Sequence, residues 1–313
     1  MDDALTPECL SVTFGTFRSS VCSKKSIMSG VRQCEFCSHT LPRGYSVCPH
    51  CGRPGRYQNV EDAADDEERA ALDDRYQEAM SASTAAGTQA QLQAFEAAAG
   101  ESKAVSSRPI GFLQPLVQSD NNLYSTYYKL IESEVRLPEG TKWDVLRAVS
   151  DEALFTGFKD EIRFAALSLD GLGVAHYGDC SIAWREEMIA HRASVFEENS
   201  IMFMDHHSIL IRDAHRLPKG YRATWGERAK LCVAKLYKSI DATIQPDEYS
   251  GVLIRQGATP EDDEFVEVHI WGSMSRRTIE RVIVPRPRTK AERTIIKAIG
   301  EALGMAGATL EVK

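Results

Sequence analysis

The sequence predicts an α+β fold that carries a small cysteine-rich module near its N-terminus. Three observations lead there. Two C-x-x-C pairs, Cys34/Cys37 and Cys48/Cys51, fall within one short segment. An Ala-, Glu- and Asp-rich stretch with helical spacing follows them. Beyond it, helical and alternating segments mix without the regular strand–helix–strand order of a doubly wound sheet.

The chain has 313 residues, 43% of them apolar, enough for about two domains and at least one proper core. No run approaches the roughly 18 apolar residues of a membrane helix. The first 30 residues lack the apolar core of a secretion signal. A cytoplasmic location is therefore expected, and in such a compartment paired cysteines bind metal or do redox chemistry rather than form disulfides. Cys9, Cys22, Cys180 and Cys232 are scattered and read as ordinary thiols.

The net charge of −8 is unevenly placed. Residues 57–108 hold 11 acidic against 4 basic side chains, whereas residues 29–56 hold Arg32, Arg43, Arg53 and Arg56 against Glu35 alone. The acidity belongs to the segment between the cysteines and the remainder, and says little about either.

Four regions follow. Residues 1–27 are Ser/Thr-rich and read either as a disordered tail or as an upstream extension, with Met28 as the initiator. Residues 28–56 hold the cysteine module. Residues 57–108 read as an acidic, partly helical linker: Leu72, Tyr76 and Met80 form a thin stripe and 89–99 a second short helix, but large apolar residues are few. Residues 109–313 have the composition of a globular α+β domain and hold all four Trp. There, 122–135, 143–158, 276–282 and 291–303 are expected as helices, and 225–240 as the clearest amphipathic one. Segments 161–169, 174–184, 200–204, 208–211, 251–255 and 264–271 are expected as strands.

The cysteine module reads Cys34-Glu35-Phe36-Cys37, ten residues, then Cys48-Pro49-His50-Cys51-Gly52. Two residues between cysteines let both thiolates of a tight turn point at one ion, and two such turns supply the tetrahedral sulfur set that zinc prefers. Leu41-Pro42-Arg43-Gly44 supplies the turn between them. The two-turn spacing favours zinc over an iron–sulfur cluster. His39 and His50 are expected at the surface. Over residues 32–54 the segment resembles the zinc-ribbon family. That resemblance implies a structural site, since four thiolates leave no open position, and a module that binds DNA, RNA or protein or braces a neighbour.

The C-terminal part has no Gly-rich phosphate loop, nucleophile elbow or HExxH, and Gly171-Leu172-Gly173 lacks the third glycine of a dinucleotide fingerprint. Asp205-His206-His207 offers metal-type side chains, but neighbours on a strand face opposite ways. Glu267 and His269 sit two apart within 264–271, so they share one strand face while Val266, Val268 and Ile270 take the other. A carboxylate and an imidazole on one face form the kind of pair that acid–base chemistry uses. A half-exposed strand with an ordinary polar face is the competing reading. Together with Tyr177-Gly178-Asp179, Arg192 and Asn199-Ser200, this stretch loosely resembles ADP-ribosyltransferase-like domains over about residues 160–285. The resemblance implies NAD as co-substrate and Glu267 as the acid that stabilises the ribose cation.

The segment from Arg276 to Lys297 holds eight Lys/Arg against Glu280 and Glu292, a surface for nucleic acid or an acidic partner, or a solvated helix face. Two functions follow: a zinc-binding protein whose ribbon and α+β domain act in binding or regulation, or an ADP-ribosyltransferase-like enzyme with catalytic Glu267 and His269 and the ribbon as targeting module.

Overall fold

A computed structural model describes residues 31–34, 36–42, 44–124, 142–209 and 217–313. The expectations for residues 1–27, for Met28 and for most of 122–135 lie outside the described residues. Strands β1 (Val31–Gln33) and β2 (Thr40–Pro42) pair antiparallel as the hairpin of the cysteine module. Helices α1 (Gln58–Ala63), α2 (Asp66–Ala86) and α3 (Gln89–Gly100) follow, then β3 (Lys103–Arg108) and α4 (Ile110–Gln118). Next come α5 (Lys142–Leu154), β4 (Ile162–Ser168), β5 (Cys180–Trp184), α6 (Glu186–Ile189), β6 (Ala193–Phe196), α7 (Ser200–His206) and β7 (Arg222–Thr224). The chain ends with α8 (Arg228–Leu236), α9 (Tyr249–Leu253), β8 (Ile254–Arg255), β9 (Glu264–Phe265), β10 (Glu267–Trp271), β11 (Ile279–Val284), α10 (Lys290–Met305) and β12 (Thr309–Val312).

One mixed sheet organises these elements, in the order β12-β11-β5-β3-β4-β10-β6-β7. Every pairing is antiparallel except β11–β12, which α10 connects as a crossover. The fold is therefore α+β, as the mixture of segments predicts. One face of the sheet (Ala165, Leu167, Val195, Val268 and Ile270) packs into the main apolar core. The other face presents Phe196 and Trp271 to a second cluster with Leu154, Phe155, Phe158 and Phe203. Among the described residues no helix is long and apolar enough to cross a membrane.

The segment 57–108 is helical and acidic as expected, but it does not behave as a linker. Leu72, Ala79, Leu92, Phe95 and Ala99 are fully buried in the main core, and β3 pairs with both β4 and β5 near the middle of the sheet. Alanines let helices approach closely, so few large side chains suffice to fill the contact. The charges are placed, not merely solvated. The Asp65 side chain caps α2 through the Glu67 N–H, and Gly87 closes the helix in the left-handed conformation. Glu68, fully buried, accepts from the Gly220 N–H at 2.8 Å and from Arg222 Nε at 2.7 Å. In β3 the Ser106 hydroxyl accepts from Trp184 Nε1 at 2.9 Å and donates to the Phe164 carbonyl, so a polar side chain sits in the sheet with its bonds met.

Other expectations also change. Residues 200–204, expected as a strand, begin a helix because the Asn199 side chain caps the Ile201 N–H. Residues 276–282, expected as a helix, hold a single helical turn and then strand β11, where a β-branched run overrides the thin charge pattern. Residues 251–255 are mostly the end of α9.

Candidate functional site

The four cysteines of the module converge. Each C-x-x-C turn closes on a backbone bond, Ser38 N–H to the Cys34 carbonyl and Gly52 N–H to the Cys48 carbonyl, both at 2.8 Å. Ser38 and Gly52 take the left-handed conformation at the matching position, φ +56° and +68°, a geometry that glycine adopts without strain. The sulfurs of Cys34, Cys37, Cys48 and Cys51 all lie within 4.8 Å of one another. Cys34–Cys51 and Cys37–Cys48 are each separated by 3.6 Å. A tetrahedral ion with sulfur bonds of about 2.3 Å sets its ligands about 3.8 Å apart, so the cluster fits a metal ion of that kind. The Phe36 N–H, outweighing burial, lowers the Cys34 thiol to about 7, whereas the His39 N–H is outweighed at Cys37, where burial and the neighbouring sulfurs push the thiol up to about 12. His39 and His50 are exposed, stack on one another at 4.9 Å and stay out of the cluster.

The second site is a cavity of about 730 Å³ on the Trp271 face of the sheet. It is bordered by β3, β4, the turn Ala175–Tyr177, the start of α7 and the head of β10. Glu267 stands at its edge with its side chain nearly buried. One carboxylate oxygen accepts from the Ser200 N–H at 3.1 Å and lies 2.9 Å from His269 Nε2. The pair that the two-residue spacing places on one face is thus in contact, with Val268 and Ile270 on the opposite, core-facing side. His269 itself does not reach the cavity wall. Phe155, Phe164 and Phe196 box in its ring at 4.8, 5.5 and 5.7 Å, so its work is to hold the carboxylate.

Tyr177 and Asn199 join Glu267 here. The Asn199 amide caps α7 with its oxygen and donates from Nδ2 to the Tyr177 hydroxyl at 2.9 Å. Burial and the nearby Glu267 carboxylate push the Tyr177 phenol up to about 12, so it stays neutral. Gly178 has φ +147°, and a Cβ there would lie 2.2 Å from the Arg108 carbonyl carbon; the turn bearing Tyr177 is pressed against β3 in a way only glycine permits. Arg192 goes elsewhere: it is buried and donates to the carbonyls of Trp271, Ser273 and Met188, tying the end of β10 to α6.

Sequence reasoning missed Arg108, Arg147, His176 and Asp263. The first three line the cavity, and Asp263 sits directly behind His176. No motif spacing links these residues; only the sheet order brings them together. Asp205, His206 and His207 lie at the exposed end of α7. His206 faces Glu198 at 3.0 Å and His207 packs on Phe203, and they join no metal cluster among the described residues. In the basic stretch, Arg276 and Arg277 are held by Asp120, and Arg281 by the Asp170 carbonyl and Glu311. Arg286, Arg288, Lys290, Arg293 and Lys297 stay exposed. Burial pushes the Cys180 and Cys232 thiols up to about 12, as inert interior thiols require. No protein-family model matches the chain, and no curated protein matches it.

Proposed function

We propose that the chain is a group-transfer enzyme of the ADP-ribosyltransferase kind, braced by a structural zinc ion in its cysteine module. The observation that carries this reading is the Glu267 carboxylate, nearly buried, fixed by two donors and open to a cavity of nucleotide size. Departure of nicotinamide from NAD leaves a cation-like ribose, and a preorganised carboxylate away from water stabilises that charge strongly. Arg108 and Arg147 on the cavity wall suit a pyrophosphate, and the half-buried Phe112 ring offers an apolar surface to a base. Zinc on Cys34, Cys37, Cys48 and Cys51 would supply folding energy, about 10–16 kcal/mol in apparent terms, rather than chemistry. NAD is then a co-substrate.

A second reading, a binding or regulatory protein, is favoured by the ribbon surface. Phe36, Tyr45 and Val47 are about half exposed there, and the Arg53 guanidinium lies 4.7 Å over the Phe36 ring. Together with the exposed cations of 286–297, that surface suits a protein or nucleic-acid partner.

The deciding experiment incubates the zinc-loaded chain with NAD and measures nicotinamide release, and labelled NAD with lysate to detect transfer. Glu267→Gln should lower release at least about 100-fold with an unchanged melting temperature. No release by the unaltered chain rejects the enzyme reading in favour of the binding one, and full activity in the variant removes Glu267 from the chemistry.

A further inference from the structure

The cavity holds a second carboxylate–imidazole pair with the opposite exposure. Asp263 has a fully buried side chain, and both its oxygens face His176 Nδ1, at 2.8 and 3.0 Å. The Gly257 N–H donates to the same carboxylate at 2.9 Å. A carboxylate can only accept, so Nδ1 carries the ring proton and the lone pair of the neutral imidazole lies on Nε2. His176 borders the cavity with its side chain 30% exposed, and no hydrogen-bond partner to its Nε2 is found among the described residues.

Both partners sit on tightly built turns. Asp263 follows the helical turn Pro260–Asp262, which is closed by reciprocal bonds between Thr259 and Asp262, and the β8–β9 pairing clamps the loop at both ends. His176 rides on the turn that Gly178 presses against β3. Tyr177 lies next to it, and His176, Tyr177 and Glu267 all line the one cavity. The exposures of the two imidazoles divide the labour. His269 is walled off and can only hold Glu267, whereas His176, its Nδ1 taken by Asp263, borders the cavity with its side chain part-exposed.

We infer that His176 is the proton acceptor for the nucleophile entering this cavity, with Asp263 as its positioning residue. The inference rests on the transfer reading above. In the step, an O–H or N–H nucleophile bonds to the ribose anomeric carbon. The bond from that carbon to nicotinamide breaks, and its electron pair leaves with nicotinamide. The nucleophile's proton passes to His176 Nε2 and from there to solvent.

The test uses NAD with two nucleophiles, water, which must lose a proton, and azide, which need not. His176→Gln should lower hydrolysis about 10²–10⁴-fold, the usual contribution of a positioned base. Sodium azide should restore nicotinamide release in His176→Gln, with azido-ADP-ribose detected by mass spectrometry, and should not restore it in Glu267→Gln. Unchanged hydrolysis in His176→Gln, or a loss that azide does not rescue, overturns the inference and leaves the transfer reading standing. No nicotinamide release by the unaltered chain sinks both. An independent readout needs no turnover: ¹⁵N spectra at alkaline pH should show His176 as the Nδ1–H tautomer, shifting toward Nε2–H in Asp263→Asn. An Nε2–H tautomer in the unaltered protein also overturns the inference.

Discussion

Replacing Phe95 with alanine tests whether the acidic helices belong to the fold. Phe95 is fully buried, meets Tyr249 edge-on at 5.4 Å and belongs to the same core cluster as Leu72, Leu92 and Leu231. Removing a buried Phe side chain costs about 3–5 kcal/mol in lost transfer energy and residual cavity. Loss of the edge-on ring pair, about 0.5–1.5 kcal/mol, argues for the middle of that range or above. Taking about 4 kcal/mol and a urea dependence of about 3 kcal/mol/M, the unfolding midpoint should fall by about 1.3 M. The four tryptophans report the transition by fluorescence, and Met305→Ala, at a side chain 76% exposed, serves as control, with an effect within about 0.5 kcal/mol. If Phe95→Ala leaves the midpoint within about 0.2 M of the parent, the packing argument fails. Proteolysis that removes residues 57–100 and leaves the rest folded would refute it equally.

Three further outcomes follow from the structure. Metal analysis should recover about one zinc per chain, and Cys48→Ser should lose it, because its buried sulfur is one of only four ligands; a chain that purifies without zinc sinks the ribbon. Gly178→Ala should destabilise the protein by about 2 kcal/mol or more and lower activity, since its Cβ would collide with the Arg108 backbone; an unaltered melting temperature would contradict that geometry. Hydrogen bonds from Arg277 and Arg276 hold the Asp120 carboxyl below its ordinary 3.8. A depressed acid stabilises the folded state above the unfolded pKa, so this contribution is complete above about pH 4 and fades as pH falls through the lower folded value. The stability gap between the parent chain and Asp120→Asn should therefore shrink on acidification below pH 4, and urea midpoints at several pH values check the sign.

The cysteine module was legible in the sequence because its ligands are local. Two residues between thiols and two turns in one hairpin fix the sulfur set within 18 residues, from Cys34 to Cys51. The Glu267/His269 contact was legible for a similar reason, since a strand returns to the same face every second residue. Strand β4 and helix α10 declared themselves through uninterrupted patterns, with Thr289 and Glu292 capping the latter. Residues 57–108 misled because charge and alanine content describe the outward faces of α2 and α3, whereas their inward faces need only a few large side chains. Strand β3 gave no signal at all: its Ser106 gains a buried place by bonding to Trp184 and Phe164, both far away in sequence.

What the sequence determined by itself was therefore whatever depends on neighbours along the chain: the cysteine cluster, the strand faces and the better-capped helices. The tertiary structure alone decided which side chains share the cavity. Arg108, His176 and Glu267 come from three separate segments, and Asp263 stands behind His176 from a fourth. Only the order β5-β3-β4-β10 in the sheet and the packing of the 256–263 loop bring them to one space. Which histidine is buried to hold a carboxylate and which keeps a nitrogen open is likewise a matter of surrounding aromatic rings, since solvent access is a property of packing and not of residue type.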